Sequence, residues 1–234
     1  MKKTILVMLL VVSLFAVTGC TRGRKYALDF KEEYEAVNGK VIRDDITYRT
    51  LNIDKRNPYI KVDPSEIVKK IENKETFYLY VGDTLCPWCR SGLEKMIEVA
   101  LEEGIKDIYY IDFWDDDHNE ILRDLYEVQT NGKKTEIVQT REASEDYLKI
   151  VDAVKAYAQD YTLTKDGKTY DVGVKRLFGG DHFYFVKGVC QKYTTLRSSK
   201  LAKANDELTE EVLKDQETNF KAFFEKNTCD DNNC

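Results

Sequence analysis

The stretch Phe77-Tyr78-Leu79-Tyr80-Val81-Gly82-Asp83-Thr84-Leu85-Cys86-Pro87-Trp88-Cys89 decides how the rest of the chain is read. Phe77–Val81 is a continuous apolar and aromatic run of strand length, the pattern of a strand buried on both faces. Beyond the cysteines, Leu93, Met96, Ile97, Ala100 and Leu101 recur at helical spacing, and Gly104 supplies a C-terminal stop. Asp107-Ile108-Tyr109-Tyr110-Ile111-Asp112-Phe113 reads as the next strand. Strand, crossover helix and strand form a βαβ unit, which is parallel and right-handed in nearly all known cases. Cys86 and Cys89 therefore fall where a buried strand hands over to a helix N-terminus.

On the N-terminal side, Ile46–Ile53 is rich in β-branched residues and reads as a first strand, with Tyr59–Val62 a short second one. Asp63-Pro64-Ser65-Glu66 starts a helix with Ile67, Val68 and Ile71 on one face. On the C-terminal side, helices are expected near His118–Val128 (Ile121, Leu122, Leu125, Tyr126) and Ser144–Ala158 (Tyr147, Leu148, Val151, Val154). Tyr161–Thr164 and Thr169–Val172 flank Lys165-Asp166-Gly167-Lys168, a hairpin signal. Phe183–Val186 and Val189–Thr194 around Lys187-Gly188 read as a terminal hairpin, and a helix from Ala202 to Phe224 closes the chain.

The chain has 234 residues, 42% of them apolar and 12% aromatic, which is enough for a core and excludes wholesale disorder. Its 36 Lys+Arg against 42 Asp+Glu give a net charge of −6 and no field that attracts a polyanion, so no nucleic-acid partner is expected. Met1-Lys2-Lys3, the uncharged run Ile5–Val17 and then Thr18-Gly19-Cys20 have the layout of an export signal, too short for a membrane span. Residues 22–44 are mostly charged with scattered apolar positions and read as a tether.

Two residues between Cys86 and Cys89 let the first thiol sit at the free N–H groups of a helix while the second lies one turn away. Those N–H groups and the positive end of the helix dipole stabilise a thiolate at Cys86. Cys86 is then the attacking sulfur and Cys89 the resolving one.

This C-x-x-C pair after a buried strand, together with the ββα ending, resembles the thioredoxin superfamily, over roughly residues 59–225. Pro64–Cys89 looks most like the thioredoxin-like lipoproteins and bacteriocin-transport-accessory-like proteins of Gram-positive bacteria. The resemblance implies an α/β thioredoxin-like fold, a central mixed sheet flanked by helices, spanning 45–228 with a helical insertion over about 114–180. It implies a thiol–disulfide oxidoreductase with Cys86 and Cys89 as catalytic pair, Pro87 and Trp88 tuning the potential, and no cofactor beyond the redox-active disulfide. Its partners are protein thiols or disulfides as substrate and an unidentified membrane electron donor or acceptor. Val17-Thr18-Gly19-Cys20 resembles the bacterial lipobox, which implies a signal peptide over 1–19, lipidation of Cys20, a tether over 20–44, and anchoring on the extracytoplasmic face of the cell membrane.

Two departures from the family pattern stand out. The chain has no proline after Pro87, and Asp181, preceded by Gly179-Gly180, occupies or neighbours the place of the family's cis-proline, with His182 beside it. Asp181 and His182 are therefore the substrate-groove candidates, in a loop expected to be trans. Tyr80 stands where thioredoxins carry a buried acid, so proton transfer through water is expected, and Asp83 reads as a solvated turn residue.

Cys229 and Cys234, with four residues between them, read as a structural disulfide of the tail 229–234; a second redox pair is the sharper alternative. Cys190 reads as a small buried apolar residue, with pairing to a tail cysteine also open. The cluster Asp112–Glu120 reads as a solvated helix start rather than a cation site, and no metal is expected. A Cys86/His182 hydrolase leaves Cys89 without a role. The competing class is an accessory or binding lipoprotein in which Cys86–Cys89 is a static disulfide.

Overall fold

The computed structural model describes residues 24–41, 46–115, 119–132 and 134–225. Cys20, His118, Cys229 and Cys234 lie outside the described residues, as does the signal segment.

The apolar run Phe77–Val81 becomes the middle of the molecule. Strand β2 (Phe77–Gly82) pairs in parallel with β3 (Ile108–Asp112), and β3 in turn with the short edge strand β1 (Tyr59–Lys61). On its other side β2 pairs antiparallel with β8 (Asp181–Val186), which pairs with β9 (Val189–Thr195) across the Lys187-Gly188 turn. The result is a five-stranded mixed sheet in the order β1-β3-β2-β8-β9. Alternation along the strands splits the core into two layers. Tyr80, Tyr110 and Tyr184 face α3 (Pro87–Glu102), α5 (Glu210–Phe224) and a helix over 24–35, here α1. Phe77, Leu79, Val81, Phe183 and Phe185 face α2 (Pro64–Glu72) and α4 (Glu145–Ala153). The α/β reading of the chain stands: five helices and a mixed sheet are present among the described residues.

Ring stacking sets the β2–β8 register as well as backbone bonding. Phe77 stacks on Phe185 at 4.7 Å, Tyr78 on Tyr184 at 4.5 Å and Tyr80 on His182 at 4.4 Å, all directly opposed pairs. Such pairs contribute roughly 0.5–1.5 kcal/mol each beyond burial alone, and a slip of one residue forfeits all three.

Four expectations are corrected. The described part of the supposed tether is helix α1, whose Ala27, Phe30 and Tyr34 enter the core; Phe30 stacks on Tyr59 at 4.4 Å. Residues 46–53 make no ladder: Thr47 forms a single bridge to Val41, and the following extended segment buries Tyr48, Leu51 and Ile53. The helix expected over His118–Val128 is instead the first arm of a ribbon, β4 (Leu125–Asn131) with β5 (Lys134–Arg141). The insertion is thus two ribbons, β4–β5 and β6 (Gln159–Lys165) with β7 (Lys168–Arg176), and one helix, α4. The last helix starts at Glu210, capped by the Thr209 hydroxyl, which accepts from the Val212 N–H; residues 202–209 are irregular. Glu120 fastens both ribbons to the body through Arg123, Arg141 and Arg176.

Candidate functional site

The turn after β2 is built by Asp83. Its Oδ1 accepts the Leu85 N–H at 2.8 Å and its carbonyl accepts the Cys86 N–H at 3.1 Å. This places Cys86 as the N-cap of α3, with φ −90° and ψ 112°. Pro87 follows at the first helical position, where a missing N–H costs nothing. The Cys86 sulfur accepts the Cys89 N–H at 3.2 Å, so the sulfur itself satisfies one of the helix's orphan donors. Cys86 is partly exposed, Cys89 lies directly behind it with no exposed surface, and both thiols are free. The Arg197 guanidinium covers the Trp88 ring at 4.2 Å.

Gly179-Gly180 passes over this pair. The Gly179 carbonyl accepts from the Cys86 thiol at 3.9 Å. A Cβ on Gly179 would stand 3.1 Å from the Cys89 sulfur and 3.0 Å from the Asp83 Cβ, so any larger residue would push these neighbours back by a few tenths of an ångström. Gly180, at φ +105°, donates its N–H to the Val81 carbonyl at 3.0 Å and accepts the Leu196 N–H at 3.1 Å. The loop contains no cis peptide bond.

The two groove candidates are not on a groove. Asp181 is buried: its carboxylate accepts the Phe178 N–H at 2.9 Å and the Tyr193 hydroxyl at 2.9 Å, and burial pushes its acid up to about 6. It braces the loop from within. His182 is wholly buried on the β8 face shared with Tyr80. Its Nδ1 lies 3.0 Å from the Gly180 carbonyl, which can only accept, so Nδ1 carries the proton and Nε2 accepts from the Tyr59 hydroxyl at 2.8 Å. Trp88, between the two cysteines in sequence, is partly exposed, and Phe178, just before Gly179, is 37% exposed.

Burial pushes the protonated form of His182 down to about 3. A base held below its free value near 6.5 is protonated first in the unfolded chain, so stability present above pH 6.5 is lost as pH falls toward 3. Urea unfolding of wild type and His182→Gln between pH 7 and 4 should therefore diverge. The wild type is expected to lose roughly 1 kcal/mol more per pH unit below about pH 6. Parallel curves would show that His182 is not held neutral.

Asp83 is also corrected. Far from being solvated, it is buried against the thiols. Burial pushes the Cys89 thiol well above its ordinary value, charge on Cys86 and Asp83 adds to this, and a hydrogen bond from Tyr80 works the other way. Asp112 is likewise no solvated helix start: it accepts the Tyr110 hydroxyl at 2.5 Å and the Trp114 N–H at 3.1 Å, and burial raises its acid to about 7. Cys190 is a partly buried thiol bonded to the Lys192 carbonyl and raised by burial to about 12. Among the described residues no three His, Cys, Asp or Glu side chains converge as metal ligands, and no helix is long and apolar enough to cross a membrane.

Arg90, the residue after Cys89, was not singled out from the sequence. It is a fully buried guanidinium that donates to the Tyr34 carbonyl at 2.8 Å, to the Arg49 carbonyl at 2.6 and 2.9 Å, and to Asn38 Oδ1. It ties α1 and the extended segment after it to the start of α3.

The chain matches no protein-family model and no curated protein sequence.

Proposed function

We propose that the protein is a thiol–disulfide oxidoreductase of thioredoxin-like architecture, held on the extracytoplasmic face of the cell membrane by a lipid on Cys20. The observation that carries this reading is the placement of two free thiols, Cys86 partly exposed at the N-cap of α3 and Cys89 buried one turn behind it. The sheet order supports the architecture, as does the arrangement of α3 and α5 on one face with α2 and α4 on the other. Pro87 and Trp88, between the thiols, are placed to tune their potential.

The Cys86 thiolate attacks one sulfur of a substrate protein disulfide. That S–S bond breaks, its electron pair leaves with the second substrate sulfur, and a mixed disulfide forms. Cys89 then attacks the Cys86 sulfur, releasing the first substrate thiol and closing the Cys86–Cys89 disulfide. A membrane-borne dithiol returns the pair to its reduced form; run backwards with a disulfide partner, the same steps oxidise substrate thiols.

Cys89→Ala removes the resolving step and is expected to accumulate mixed disulfides with envelope proteins, visible on non-reducing gels and absent from Cys86→Ser. In the wild-type pair, a midpoint within roughly −270 to −120 mV is expected. No trapped adduct, with a pair that resists reduction below about −300 mV, would make the disulfide a static staple and the protein a binding accessory.

A further inference from the structure

Cys89 has no exposed surface, and a thiol in apolar surroundings resists ionisation. As a resolving group it must nevertheless become nucleophilic. Six ionisable side chains interact with its charge: Asp83 and Cys86 from the β2–α3 turn, Arg90 from α3, Tyr80 from β2, Tyr59 from β1 and Tyr34 from α1. Negative charge on Asp83 or Cys86 opposes a second thiolate. The Arg90 donors are committed to the Tyr34 and Arg49 carbonyls and Asn38. The Tyr59 hydroxyl is committed to His182 Nε2. Tyr80 remains: it shares the buried cluster with Cys89, hydrogen bonding from it is what favours the Cys89 thiolate, and its hydroxyl lies 2.8 Å from the Tyr34 hydroxyl. Both tyrosines are wholly buried, so water does not compete for these bonds. When the Tyr34 O–H points at the Tyr80 oxygen, the Tyr80 O–H is left to point at sulfur.

We propose that Tyr80, oriented by Tyr34, is the hydrogen-bond donor that makes Cys89 the resolving nucleophile, a role for which this site uses no carboxylate. The inference rests on the thiol–disulfide reading of the same cysteines. In the resolving step Cys89 gives up its proton and attacks the Cys86 sulfur. The bond from Cys86 to the substrate sulfur breaks, its electron pair goes to the substrate thiolate, and that thiolate takes up a proton. Tyr80 keeps its own proton and only shares it with the developing charge.

The test uses the full-length chain with Cys190, Cys229 and Cys234 replaced by Ser, reduced, mixed with oxidised glutathione, quenched by alkylation and read by mass spectrometry over a range of pH. In Tyr80→Phe the glutathione adduct on Cys86 should form within about twofold of the wild-type rate. Its conversion to the Cys86–Cys89 disulfide should slow by about tenfold or more, with the pH midpoint of that step about one unit higher. Tyr34→Phe should shift the same midpoint by less, and it carries the test if circular dichroism shows Tyr80→Phe unfolded. Resolution at the wild-type rate and midpoint in the tyrosine variants would overturn the proposal, as would Asp83→Asn alone reproducing the whole slowing. A wild-type chain that forms no adduct and no disulfide would refute the oxidoreductase reading itself and this proposal with it.

Discussion

Arg90→Met is expected to cost roughly 2–4 kcal/mol of folding stability, a large share of the 5–15 kcal/mol that a typical domain has. Methionine refills most of the volume, so the loss is polar. The Tyr34 carbonyl in the core and the Arg49 carbonyl at its partly buried edge lose their donors, while Asn38 Oδ1 keeps the Leu51 N–H at 2.9 Å. A buried acceptor left unpaired costs about 1–3 kcal/mol. Working against this, the guanidinium has no carboxylate bonded to it and burial depresses its basicity, so removing the charge returns some desolvation energy. Two stranded carbonyls outweigh one relieved cation. Thermal unfolding should drop by roughly 10 °C for a chain of this size. Because Arg90 pins α1, limited proteolysis should cut first between α1 and β1. An unchanged melting temperature would mean that the acceptors find other donors.

Gly92→Ala should destabilise the protein, although helix propensity alone argues for a gain of about 0.5–1 kcal/mol at a helix-interior glycine. A Cβ at Gly92 would sit 2.2 Å from the Leu196 carbonyl oxygen and about as close as 3.0 Å to its carbon. Both atoms are backbone, so α3 must back away. Overpacking of this kind costs typically 1–3 kcal/mol, which exceeds the propensity gain. The Leu196 N–H is bonded to the Gly180 carbonyl, so the displacement also reaches the loop over the thiols. A lower urea midpoint together with slower disulfide exchange is expected; a higher midpoint would show that the contact relaxes freely.

The part of the fold that carries the thiols was legible because burial on both faces leaves an unbroken apolar run, as in Phe77–Val81, and because Pro87 sits where only a helix start tolerates it. Helix α1 was hidden by its charges: Ala27, Phe30 and Tyr34 recur at spacings of three and four, but most of the side chains between them are polar and face out. The β4–β5 ribbon was misread because Ile121, Leu122, Leu125 and Tyr126 fit a helical period, while β4 is partly or fully exposed along its length and shows no alternation to correct it. Asn131-Gly132 carried the right signal, with Gly132 at φ +65° in the turn. Cys86 and Cys89 were identified from local spacing. Their surroundings were not, since Arg90 gains its meaning from Tyr34, Asn38 and Arg49, between 41 and 56 positions away, and Tyr80 from Tyr34, 46 positions away, relations no local pattern contains.

Under the proposed anchoring at Cys20, the docking of α1 also sets the radius within which the protein operates. A loose leash of the 25 residues from 20 to 44 would let the body wander on the order of 25–30 Å from its anchor point. With ordered helix from residue 24, a lipid on Cys20 leaves four residue steps, at most roughly 14 Å of slack. Under the proposed anchoring, the body rides against the bilayer like a buoy on a short chain, and the disulfides it meets are those of proteins that themselves reach the membrane surface.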